Sequence, residues 1–321
     1  MLTLVPAEGA FLERVLDTRY SVGHEGLTRQ AFTTLDIVQR RTAWALRCHS
    51  RVALMDGSEL VASAERYDLD GVLDHQRVGI CGIAAVSTDP ECGSGHHARE
   101  LVERLTDEAR RNGADVAILF VTTDRIACVP DGFEAIPTAD IELSVEESPR
   151  HGAPMTLMRW AEDRDLPAIV AMGQVRAGRY RFHLDRDVDL VKYVITKKRL
   201  LAGLGAAGAR QLQFMIAEEG ITAAAYVVVS IADGTWTIEE CGDRDLSGAR
   251  VGALLQALIA REPAERRPVI RGWLPARFVP PQVTILSTRP SIQRIFGQIL
   301  ATRTPLRLSA ADILFWRSDV F

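Results

Sequence analysis

The chain has 321 residues, 47% hydrophobic and 25% charged, with 38 basic against 42 acidic side chains and a net charge of -4. At about 150 residues per domain, that length suggests two domains. The apolar fraction excludes a disordered chain. The near-balanced charge excludes a dominant basic stripe for nucleic acid and gives no reason to expect a membrane partner.

Five cysteines (Cys48, Cys81, Cys92, Cys128 and Cys241) are odd in number, and no two have C-x-x-C spacing. They read as free thiols in a reducing compartment. The opening MLTLVPAEGAFLER lacks the basic and apolar regions of a secretion signal. Apolar runs such as ITAAAYVVVSI fall short of the ~20 residues that span a bilayer. A soluble cytoplasmic protein is the expectation.

In chain order, a short strand over Leu2 to Val5 precedes helical patterns over Phe11 to Tyr20 and Thr28 to Arg40. The period then switches to two. Val52 to Met55 and Leu60 to Tyr67 form a hairpin about Asp56-Gly57. Val78 to Ser87 is a nearly continuous apolar run, as suits a strand buried on both faces. Ala98, Leu101, Val102, Leu105 and Ala109 follow at helical spacing, with charged residues on the other side. Asn112-Gly113 ends that helix, and Ala114 to Val121 is again a buried strand. Strand, tight turn, helix, strand is a βαβ unit with a parallel pair.

Glu146 to Pro154 is polar and rich in breakers, so it reads as a linker. Beyond it the programme repeats. A strand over Met155 to Trp160 and a helix over Asp165 to Met172 lead to a meander of Phe214 to Glu218, Ala223 to Ser230 and Thr235 to Glu240. A helix over Gly248 to Arg261 and a strand over Val269 to Leu274 follow. The expected fold class is therefore α/β in two similar halves, divided as residues 1–148 and 155–321.

The turn Asp89-Pro90-Glu91-Cys92-Gly93-Ser94-Gly95-His96-His97-Ala98 opens a helix at the carboxyl end of a buried strand. Backbone N–H groups and the positive helix end there suit a phosphate, although an ordinary glycine-rich turn capped by Ser94 reads equally well. Adjacent His96 and His97 point about 100° apart on a helix, a poor ligand pair even beside Cys92, so no metal is expected. Lys192, Lys197, Lys198 and Arg199 read as a solvated helix face.

The run VGICGIAAVSTDPECGSGHHARELVERLTDEARRNGADVAILF, with GFEAIP at Gly132 to Pro137, resembles the GNAT family of N-acetyltransferases over residues 50–140. The similar order of elements in the two halves and the chain end Phe315 to Phe321 resemble its tandem, Eis-like branch. The resemblance implies two mixed sheets with flanking helices and acetyl-CoA as co-substrate. Val86, Ser87 and Thr88 would pair with the pantetheine arm. Gly93, Ser94, Gly95, His96, His97 and Ala98 would cradle the pyrophosphate. Gly93 and His96 depart from the motif, which has Arg or Gln and then Gly at those places.

The family's tyrosine, which protonates the CoA thiolate, is here Cys128, so the resemblance assigns that role to a thiol, while a small buried filler reads at least as well. In the Eis-like branch the terminal carboxylate is the base, which nominates Phe321. Glu65, Asp68 and Asp70 read either as acids that bind a cationic amine at the cleft mouth or as a solvated turn, the turn being the preferred reading for Asp70. In the second half, Glu239 to Asp245 and the turn after it read as a degenerate copy without cofactor. Its acids would line a cleft or pair with Arg244. The implied activity is acetyl transfer from acetyl-CoA to a primary amine of a small molecule or peptide. The alternative is a non-catalytic acyl-CoA-binding or regulatory protein.

Overall fold

The structure, a computed structural model, describes residues 1–88, 95–146 and 157–321. The chain divides into two units: residues 1–138, 292–309 and Phe321 form unit 1, and residues 139–291 and 310–320 form unit 2. This differs from the expected 1–148 and 155–321. The first break falls at 138/139, and a segment of the second half returns to the first sheet. No local signal marks that return, because it depends on strand pairing between residues far apart in sequence.

Unit 1 begins with β1 (Leu2–Pro6), α1 (Ala10–Gly23), α2 (Arg29–Arg40), α3 (Ala43–Cys48) and β2 (His49–Asp56). It continues with β3 (Glu59–Leu73), β4 (Gln76–Thr88), α4 (Gly95–Arg111), β5 (Val116–Thr122), a 3₁₀ turn (Thr123–Cys128) and β6 (Glu134–Ile136). Unit 2 holds β7 (Ala139–Val145), β8 (Leu157–Trp160), α5 (Leu166–Ala177), β9 (Phe182–Leu184), α6 (Val188–Leu204), β10 (Arg210–Glu219) and β11 (Thr222–Ala232). After these come β12 (Thr235–Asp243), α7 (Ala249–Ile259), β13 (Val269–Gly272) and β14 (Val283–Pro290). Strands β15 (Gln293–Ile299) and β16 (Thr304–Pro305) rejoin unit 1, and β17 (Ile313–Leu314) pairs with β9 in unit 2.

In unit 1 the strand order is β1-β2-β3-β4-β5-β15-β16, with β6 on β15. Among the described strands of this unit only β4 and β5 run parallel, as their connection through α4 requires. Strands β3 and β4 run longer than the apolar pattern showed. They meet in a hairpin whose turn residues, Asp74 and His75, take φ of 49° and 66°. Neither is glycine, so the sequence carried no strong turn signal there.

Helix α4 lays Ala98, Leu101, Val102, Leu105 and Ala109 into one cluster with Cys81, Ile83, Ala117, Leu119 and Val121 of the sheet. Each fully buried leucine contributes about 1.5–3 kcal/mol. Its outer face carries the i,i+4 pairs Arg99–Glu103 and Glu100–Arg104. Unit 2 repeats this plan with the order β14-β7-β13-β12-β11-β10-β8, in which β12 and β13 are the parallel pair. Val251, Leu254, Leu255 and Leu258 of α7 pack with Val227, Val229, Ile238 and Cys241.

Candidate acyl-transfer site

The parallel ladder of β4 and β5 runs from Ile80↔Val116 to Ile83↔Leu119 and stops there. Beyond that point, among the described residues, β4 stays paired only to β3, and β5 only to β15. Two strands that part while still extended leave a wedge with unpaired main-chain groups on its walls. The parting coincides with a β-bulge: Ser63 faces Ser87 and Glu65 faces Ala84, so Ala85 and Val86 together oppose Ala64. Ala85 takes φ of 50°. For a residue with a Cβ, that conformation costs on the order of 1–2 kcal/mol, and such strain concentrates at functional positions.

Across the wedge, Arg125 Nη1 donates to the Val86 carbonyl at 2.9 Å. Ser87 is buried with its hydroxyl 2.8 Å from that of Ser63, which commits its side chain and leaves its main chain at the wedge. At the start of α4, Gly95 lies beside the 3₁₀ turn. A Cβ on it would sit 3.2 Å from Ala127 Cβ, so this glycine permits close packing of protein on protein. His96 is exposed and His97 half-buried, while Ala98 is buried in the α4 cluster. Gly93 and Ser94 lie outside the described residues.

The sheet face opposite α4 carries a polar and aromatic group. Cross-strand neighbours share a face, so the pairs His49↔Tyr67, Arg51↔Glu65, Tyr67↔Gly82 and Glu65↔Ala84 place their side chains together. Arg19 Nη1 lies 2.5 Å from Glu65 Oε1, and the Tyr67 hydroxyl donates to Glu65 Oε2 at 2.5 Å. Arg51 Nη1 donates to Asp36 at 2.8 Å, and its Nε lies 3.4 Å from Glu65. Burial pushes the Glu65 carboxyl up. Arg19, His49 and Arg51 outweigh it and hold the group well below the usual carboxylate range. His49 stacks on Tyr67 at 4.6 Å, with Nε2 3.7 Å from Glu65, and neither buried ring nitrogen has a hydrogen-bond partner among the described residues.

The terminal residue joins this group. The Phe321 ring stacks on Trp44 at 5.7 Å and 13°, tilts against Tyr67 at 4.5 Å, and meets Phe120 edge-on at 5.6 Å. Gly82 makes room for these rings, because a Cβ there would lie 3.3 Å from Tyr67 Cβ and 3.6 Å from Phe120 Cε2. Phe321 therefore closes over three adjacent strands just before the wedge opens.

The structure does not bring Glu65 and Asp68 together. Asp68 faces Cys81, on the α4 side of the sheet, where it pairs with Arg66, itself bonded to Glu108 of α4. Three positions along a strand reverse the face. Glu65 in turn is already held by two guanidinium groups. Cys128 is buried in the apolar cluster under α4, and burial pushes its thiol up to about 11. In unit 2, Lys198 pairs with the buried Glu239 at 2.8 Å, so this lysine belongs to an interior ion pair rather than a solvated face. Arg244 donates to the Ala223 carbonyl instead of an acid.

Sequence reasoning missed His49, Arg51, Tyr67, Trp44, Arg19 and Asp36. A signal existed for some of them. His49, Arg51, Glu65 and Tyr67 stand at alternate positions of two apolar strands, where a buried face would be expected to carry aliphatic residues.

The model of the acetyltransferase (GNAT) domain matches residues 25–127. The fold is similar to that of a GCN5-related N-acetyltransferase from Kribbella flavida, with a TM-score of 0.66 at 18% identity, covering 94% of this chain and 72% of that one. It is also similar to Eis1 from Mycobacterium abscessus, with a TM-score of 0.59 at 14% identity and coverage of 94% and 74%. A tandem GNAT protein from the clavulanic acid biosynthesis pathway gives a TM-score of 0.53 at 12% identity, with coverage of 94% and 99%. No curated protein matches the chain. Residues 25–127 thus match an acetyltransferase (GNAT) domain, and the chain as a whole shares the doubled mixed-sheet fold of these solved structures.

Proposed function

We propose that the protein transfers an acetyl group from acetyl-CoA to a primary amine of a small molecule or peptide, as a cytoplasmic enzyme. The observation that carries this reading is the wedge between β4 and β5, with its bulge at Ala85 and the closed aromatic group of Phe321 beside it. The side of β4 turned away from β3 at Val86, Ser87 and Thr88, beyond the last residue paired to β5, fits a donor arm with amide groups. Gly93 to Ala98 would take the phosphates at the start of α4. The thioester supplies an activated acetyl group, and this chain's residues supply placement and charge.

Main-chain N–H groups turned out of the ladder by the bulge polarise the carbonyl under attack. The carboxylate of Phe321 takes the proton of the acceptor ammonium, and the stacked rings hold that residue in place. Cys128 protonates the leaving thiolate. Glu65 holds Tyr67, and thereby the floor on which Phe321 rests.

The burial of Cys128 in apolar surroundings favours a second reading, an acyl-CoA-binding protein without turnover. Incubation with acetyl-CoA and a panel of polyamines and lysine peptides, monitored by release of free CoA thiol, separates the two. Amine-dependent release that disappears when Phe321 is deleted supports the transferase. Saturable acetyl-CoA binding with no release for any amine supports the binding protein.

A further inference from the structure

Unit 2 has its own wedge, and the chain's own end fills it. The parallel ladder of β12 and β13 runs from Thr235↔Val269 to Ile238↔Gly272 and stops. A bulge follows at once: Val228 faces Glu240 and Val229 faces Ile238, which leaves Glu239 as the extra residue. Parting strands and a bulge thus recur as in unit 1. Here, however, residues 316–319 lie across the gap. Ser318 Oγ donates to Glu240 Oε2 at 2.6 Å, on the β12 wall. Arg317 lies over the ring of Trp273, which directly follows β13, at 5.9 Å. It also donates to Asp140 at 2.9 Å, and the indole of Trp273 donates to the same oxygen at 2.7 Å.

Glu240, fully buried, also accepts from Arg186 at 2.6 Å and from the Tyr226 hydroxyl at 3.0 Å. Arg186 Nε lies 3.2 Å from Asp319, whose carboxylate also accepts from the Trp316 N–H at 2.9 Å. The cavity lined by Arg186, Tyr226, Trp316 and Asp319 has about 30 Å³, room for a water molecule but not for a donor arm. Val320 is the last residue of unit 2, and the next residue, Phe321, belongs to unit 1.

We propose that the wedge of unit 2 is a seat for the C-terminal segment, in which Glu240, Arg186 and Asp140 grip Arg317, Ser318 and Asp319 and thereby position the carboxylate of Phe321. The catalytic part of this inference rests on the reading of Phe321 as the base. The grip itself does not. These are positioning residues, since they act on the reaction only through the backbone that leads to Phe321.

The test is native-state digestion of the full chain with a carboxypeptidase, following release of Phe321. Ser318→Ala removes one charge-assisted hydrogen bond and little else. Such a bond is worth about 1.5–3 kcal/mol, so release is expected to quicken roughly 10- to 150-fold where opening precedes cleavage. Ser318→Thr, which keeps the hydroxyl, restores slow release, and Asp140→Asn, which removes the charge that holds Arg317, serves as an independent second variant. Acetyl-CoA binding is unchanged in all three, whereas kcat falls in the fast-release variants. Faster release from a chain without turnover still supports the seat and counts against Phe321 as base. Wild-type release rates in both Ser318→Ala and Asp140→Asn overturn the proposal.

Discussion

Replacing Glu65 by glutamine keeps the shape of the side chain and removes its charge. Arg19 and Arg51 are then left facing Asp36 as their remaining described carboxylate partner, inside the protein. Removing one partner of a buried ion pair costs about 3–5 kcal/mol, because the other charge stays desolvated without compensation. The Tyr67 hydroxyl, which donates to Glu65, loses an ionic acceptor as well. For a unit of this size the expected drop in Tm is roughly 6–20 °C. The assay is urea unfolding followed by circular dichroism, with the loss confined to the transition of unit 1 and the m-value unchanged.

The pH dependence adds an independent check. Glu65 is held below its unfolded value, so the unfolded chain binds its proton more tightly. Its contribution to stability is present above about pH 4.5 and is lost as pH falls through the folded pKa. Glu65→Gln should therefore flatten the acid limb of the stability curve. A loss under 1 kcal/mol, with an unaltered acid limb, would refute the view that this group is a tightly coupled ion network.

Three further outcomes follow from the same structure. Gly82→Ala places a methyl 3.0 Å from Leu69 and 3.3 Å from Tyr67, so urea unfolding should register an overpacking loss of about 1–3 kcal/mol. Cys128, pushed up to about 11, has a thiolate fraction near 10⁻⁴ at pH 7. Mass spectrometry after brief iodoacetamide treatment should find it unmodified while the half-buried Cys48 reacts. Asp319 is raised from 3.8 to about 6 by burial, against the pull of Arg186. The folded state therefore binds this proton more tightly, and stability from this group falls as pH rises from about 4 to 6. Asp319→Asn should abolish that decline, worth roughly 3 kcal/mol, in unfolding measured across that range.

Much of the fold was legible because its signals are local. The α4 stripe, the long apolar β4 and the hairpins at Asp56-Gly57 and Asp233-Gly234 all show in spacing and turn chemistry. The return of β15 to the side of β5 was not legible, since pairing across some 170 residues leaves no trace in either segment. The same holds for the site. Val86 to Thr88 lie on the expected strand, yet the bulge that shapes them depends on register with β3. Glu65 and Asp68 look like one acidic patch in sequence, but the two-residue period of a strand sends them to opposite faces. Phe321 was nominated by resemblance alone. Its place among Trp44, Tyr67 and Phe120 is a property of the folded chain.

The most direct test of the account is calorimetric titration of the full chain with acetyl-CoA, with ATP as the control ligand. The account predicts saturable binding at one site per chain, because the proposed donor seat is the wedge of unit 1, while the wedge of unit 2 holds residues 316–319. ATP should not reproduce the binding heat. Two equivalent sites, or no heat at millimolar acetyl-CoA, would contradict it.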